Sequence, residues 1–133
     1  MQLMTKAIQG QLEKNRELPA ADRKVVVKYF TPDGAATWWI SERDPHNPDL
    51  LFGLCDLGMG FPELGYVSLQ ELESIELPFG LKIERDMYFT PDKTLKEYAS
   101  VAREHSRIVT EDSLLNDTLS KLETHGMYFK DND

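Results

Sequence analysis

The chain has 133 residues, 41% hydrophobic and 29% charged, which fits one soluble globular domain and excludes a disordered or fibrous chain. A formal net charge of −8 argues against a protein that grips phosphates directly, and it suits a partner with a basic surface. No run approaches the ~20 apolar residues of a membrane span, residues 1–10 show no basic region leading into an apolar core, and the single Cys55 cannot close an internal disulfide, so a reduced, cytoplasmic protein is expected.

In chain order, Thr5 is placed to cap a short helix over residues 5–14, where Met4, Ile8 and Leu12 repeat at helical spacing. Residues 24–30 are rich in β-branched and aromatic side chains and predict a strand. Thr31-Pro32-Asp33-Gly34 is a turn, and residues 36–42 return as the second strand of a hairpin. Alternation there sends Thr37, Trp39 and Ser41 to one face, and Trp38 and Ile40 to the other.

The apolar run 50–55 predicts a central strand buried on both sides. Residues 58–62 break it with glycines and a proline, and 64–67 form a short returning strand. Ser68 and Glu71 stand at capping-box spacing ahead of a helix whose Leu69, Leu72 and Ile75 share a face. Residues 81–89 alternate weakly and carry enough charge for an edge strand. Thr90-Pro91-Asp92 is expected to open a helix over 93–105, and Thr110 to cap another over about 111–124 that Gly126 ends. Tyr29-Phe30-Thr31-Pro32-Asp33 recurs at 88–92 without wider similarity, so shared punctuation explains it better than duplication. The fold expected is α+β: a small, mainly antiparallel sheet, helices packed on it, and a C-terminal helical pair.

The three stretches VVVKYFTPDGAATWWISE, LFGLCDLGMGFPELGYVSLQELESI and GLKIERDMYFTP resemble a bacterial family catalogued as domain of unknown function twenty-nine fifty-eight. Its members sit on plasmids, integrative elements and phage-derived islands. The likeness covers about residues 3–91 and implies a family core over 1–91 with an extension, 92–133, packed on it. It implies mobile-element company and carries over no catalytic residue.

Catalytic patterns are sparse. His46, His105 and His125 lack companions at metal-ligand spacing, and there is no nucleophile elbow or phosphate loop. Cys55, among apolar neighbours, is expected to be buried and unreactive. Glu84 and Asp86 would share one strand face, with Arg85 opposite, and could serve a metal-dependent hydrolase or nuclease with help from Asp56. Trp38 and Trp39 cannot both be buried unless both sheet faces are covered, so one is a candidate contact residue.

Charge is uneven: residues 1–66 carry seven Lys and Arg against nine Asp and Glu, while 67–133 carry eight against fourteen. The acids Glu111, Asp112, Asp117 and Glu123 are candidates for steering a basic partner. The expectation is a non-enzymatic accessory protein of a mobile element. It would bind another protein, such as a nucleic-acid-binding complex, and antagonise host defence in the manner of an anti-CRISPR protein. No cofactor, membrane contact or direct nucleic-acid contact is expected.

Overall fold

The computed structural model describes residues 1–124. Helix α1 (Lys6–Arg16) is capped as anticipated: the Thr5 hydroxyl accepts from the Ile8 N–H, and Met4, Ile8 and Leu12 are buried. Strands β1 (Val27–Phe30) and β2 (Thr37–Arg43) form the hairpin, closed where the Gly34 N–H donates to the Thr31 carbonyl. The first strand begins three residues late for a physical reason. Lys24 bridges to Thr94 and the Val25 N–H donates to the Lys93 carbonyl, so this stretch is committed elsewhere.

Strands β3 (Leu50–Asp56) and β4 (Glu63–Ser68) follow, then helix α2 (Leu69–Ser74) and the two-residue strand β5 (Glu84–Arg85). All pairings are antiparallel, in the order β4-β3-β2-β1-β5. The middle strand is therefore β2, and the apolar β3 lies one place from the edge. β3 still reads as continuously apolar because its neighbours are covered above and below: Leu51 packs under α1 and α2, and Leu54 packs on the opposite layer.

Helices α3 (Leu95–His105) and α4 (Asp112–Thr124) supply that layer. One core joins α1 and α2 to Val27, Tyr29, Trp38 and Ile40; the other joins α3 and α4 to Val25, Trp39 and Leu54. The alternation read there is thus correct for Trp38, Trp39 and Ile40, and the sheet is covered on both faces. The fold is α+β with a C-terminal helical pair, the two helices linked by a 2.9 Å hydrogen bond between His105 and Thr118. α3 is more than an outer cover, since it contributes much of the second core. Among the described residues no helix is long and apolar enough to cross a membrane.

The starts of α3 and α4 also shifted, and the strand expected over 81–89 is reduced to β5. Thr90-Pro91-Asp92 does not start α3; Thr94 does, through a capping box in which its hydroxyl accepts from the Glu97 N–H and Glu97 reaches back to the Thr94 N–H. The 24–25 contacts described above hold residues 93 and 94 extended, so the helix cannot begin earlier. α4 starts at Asp112, and Gly126 lies outside the described residues.

Candidate functional site

A hollow of about 460 Å³ opens on the α1/α2 side of the sheet, beside β4. Its floor is backbone: Gly53 of β3 pairs with Gly65 of β4, and neither has a side chain to fill the space. Trp38, Ile40 and Val67 flank that floor, and the 57–62 loop forms the rim. Gly58 and Gly60 take φ of 78° and 85°, a region open to glycine, so the loop can double back over the sheet. At Gly58 a Cβ would lie 2.7 Å from the Ala35 carbonyl oxygen, which brings the loop against the β1–β2 turn. Asp56 fixes its base: Oδ1 accepts from the Gly58 N–H, and Oδ2 from the Ile108 N–H.

What this loop presents is apolar. Met59 is 74% exposed, Phe61 78% and Tyr66 62%, and Leu57 and Leu64 are exposed beside them. Leu57, Met59 and Phe61 rim the hollow, next to a strand with no neighbour on its outer side among the described residues, while the register puts Leu64 and Tyr66 on the opposite sheet face with Leu54 and Phe52. Sequence periodicity did not single these residues out. The available signal was local: Met59 and Phe61 lie in a short glycine-rich loop that has no interior of its own.

Cys55 also borders this hollow and is only partly buried, not fully buried as expected. Partial burial pushes its thiol up, and the nearby Asp56 and Glu63 carboxylates add to the shift. Little thiolate forms near neutrality, so weak reactivity follows from electrostatics as well as from shielding.

The tryptophans are not surface contacts: Trp38 is 7% exposed and Trp39 2%, on opposite faces. The register places Glu84 opposite Phe30 and Arg85 opposite Tyr29, and Arg85 donates to the Gln2 carbonyl on the α1 side. Asp86 lies 3.5 Å from the Lys28 ammonium. No cluster of three metal-ligating side chains occurs among the described residues, so the acid pair gains no third ligand. Two of the helix acids are paired locally, Glu111 with Arg107 at 3.2 Å and Asp117 with Lys121 at 3.1 Å; Asp112 and Glu123 are exposed. His46 is exposed in its turn, and His125 lies outside the described residues.

The family described as Protein of unknown function (DUF2958) matches residues 2–109. The chain belongs to that family. The match runs past residue 91 to take in α3, and the apolar hollow falls wholly within it, whereas Glu111, Asp112, Asp117 and Glu123 lie beyond it. No curated protein and no solved structure matches the chain.

Proposed function

We infer that the protein acts by binding another protein, through the surface made by the 57–62 loop and the outer edge of β4. The observation that carries this reading is the convergence of three exposed apolar side chains, Leu57, Met59 and Phe61, on one hollow beside a strand whose outer edge is open among the described residues. Contiguous apolar surface of this kind marks interaction sites on soluble proteins. An open strand edge adds main-chain donors and acceptors that an extended segment can use, with a side chain seated in the adjoining hollow. The net charge of −8 favours a partner with a basic surface by steering the encounter. A resemblance to a family found on mobile elements supports looking for that partner in a host cell, and antagonism of a defence complex is the narrower form of the same reading.

The test is capture from the native host by the wild-type chain and by Phe61→Ser and Met59→Ser. Both side chains are largely exposed, so the fold should persist. A specific partner should be retained by the wild type and lost by the variants. Equal capture by all three would remove this surface from the account.

A further inference from the structure

The phase of the β3–β4 ladder decides which backbone groups β4 presents at its outer edge. The Leu69 N–H donates to the Asp49 carbonyl, while the Leu50 carbonyl accepts from the Asp44 N–H on the β2 side. With Leu50 opposite Ser68, antiparallel alternation turns the N–H and C=O groups of Glu63, Gly65 and Val67 towards β3. Those of Leu64 and Tyr66 point outward, where no strand pairs with them among the described residues. The open run is short: Pro62 has no N–H at one end, and α2 begins at Leu69 at the other. The edge also lacks the lysines that commonly keep edge strands from pairing, since residues 57–68 contain neither lysine nor arginine.

Side chains on the hollow's face set what an added strand must carry. Ile40, Gly53 and Gly65 stand opposite one another across three strands, so this lane ends in two successive glycines. A Cβ at Gly65 would meet nothing within 4 Å. A residue opposite Gly65 on a further strand belongs to a pair without mutual hydrogen bonds, with Cα atoms about 4.5 Å apart and side chains at their closest. An aromatic side chain there can lie back over the bare lane, the arrangement by which edge glycines are rescued. Glu63 is on the same face two residues away, exposed and in no ion pair among the described residues. It stands close enough to Cys55 to add to the upward shift of that thiol. In an antiparallel segment the residue two places after the ring faces Glu63, and opposite charges in that relation attract.

On the premise that the β4 surface docks a partner, we propose that the occupant is an extended segment of a basic protein that adds to the sheet antiparallel to β4. An aromatic side chain of that segment sits opposite Gly65, and an arginine or lysine two residues later sits opposite Glu63. A second copy of this chain does not meet these demands. Two β4 strands paired about Gly65 would set Glu63 against Val67, bring no cation to either edge and join two chains of net charge −8.

The experiment titrates ¹⁵N-labelled protein with the blocked peptide acetyl-Thr-Val-Phe-Val-Arg-amide. Three variants accompany it, with alanine for phenylalanine, citrulline for arginine, or N-methyl groups on both valines. The parent peptide should bind saturably in the millimolar range and slow hydrogen exchange at the Leu64 and Tyr66 amides, which exchange freely in the protein alone. The alanine peptide should bind about tenfold more weakly, and the N-methylated one, stripped of the donors that face β4, should not bind. Citrulline should weaken binding about threefold to the wild type and not at all to Glu63→Gln, a change at an exposed position. Absence of saturable binding overturns the proposal, as does equal affinity for the alanine or N-methylated peptide, or an equal citrulline loss in Glu63→Gln. Leu64 and Tyr66 amides already protected in a free protein that sediments as a dimer would overturn it in favour of a second copy. Host capture that depends on Phe61 alongside a silent titration overturns strand addition and leaves the loop surface standing.

Discussion

A hydrogen atom in place of a methyl group sets the spacing of β2 and β3. At Gly53, opposite Ile40 on one side and Gly65 on the other, a Cβ would collide with the Trp39 carbonyl oxygen. Just past this contact the β2–β3 register shifts between Ile40 and Glu42, which leaves Ser41 as the extra residue. The Asn15 side-chain amide donates to the Ser41 carbonyl at 2.9 Å. Gly65, one strand further out, has nothing within 4 Å of the same position. The two glycines face each other and do different jobs. Gly53→Ala should lower stability by about 2–3 kcal/mol, because backbone would have to move. Gly65→Ala should change it by no more than about 0.5 kcal/mol. Denaturant midpoints decide the point: if the two variants unfold alike, the close approach of β2 to β3 is misdescribed.

Among the elements, capping shows how far local rules reach. Ser68 accepts from the Glu71 N–H as its spacing announces, but Glu71 is not seen reaching back. Asp49, nineteen residues earlier in the chain, takes the complementary part. Its carbonyl accepts from the Leu69 N–H, Oδ1 from the Gln70 N–H at 2.8 Å, and Oδ2 from the Ser68 hydroxyl at 2.5 Å. These bonds hold the Asp49 carboxyl below its ordinary range. Ser68→Ala should cost about 1 kcal/mol and Asp49→Ala about 2, because the latter strips two donors of their acceptor at once. Glu71→Ala should be nearly silent; a loss equal to that of Asp49→Ala would restore the local capping box. The helix was therefore legible from residues 68–75, but its main anchor was not, since Asp49 joins it only through the β3–β4 pairing. The same limit applies to the site. Alternation put Trp38 and Trp39 on opposite faces correctly, but it could not say that α3 and α4 cover one of those faces. Nor could it say that nothing covers Met59 and Phe61, because periodicity reports direction and not what lies in that direction.

For the whole molecule, each side of the sheet buries one phenol. Tyr29 donates to the Leu3 carbonyl at 2.7 Å on the α1 side, and Tyr98 donates to Asp92 on the α3 side. Burial pushes the Tyr98 hydroxyl up to about 12 and the Tyr29 hydroxyl higher still, and Cys55 is also raised. All three lose a proton more readily in the unfolded chain, at ordinary values of 10.0 for the tyrosines and 9.0 for the cysteine. Below those values both states hold the proton and stability does not depend on it. As pH rises from about 9 towards 12, the unfolded chain ionises first and stability falls. The acid limb has the opposite sign. Asp33, Asp44, Asp49 and Glu111 are lowered by hydrogen bonds to their carboxylates, so their contribution is present above the ordinary 3.8 to 4.5 and lost as pH drops below it. Stability should therefore plateau between about pH 5 and 9 and decline on both sides. Tyr98→Phe and Tyr29→Phe should each flatten the alkaline limb. Tyr29→Phe should cost more at neutral pH, since it leaves the Leu3 carbonyl without its donor. Denaturant midpoints across pH supply the measurement. An alkaline limb as steep in the double variant as in the wild type would mean that the two phenols are not the groups whose burial the fold depends on.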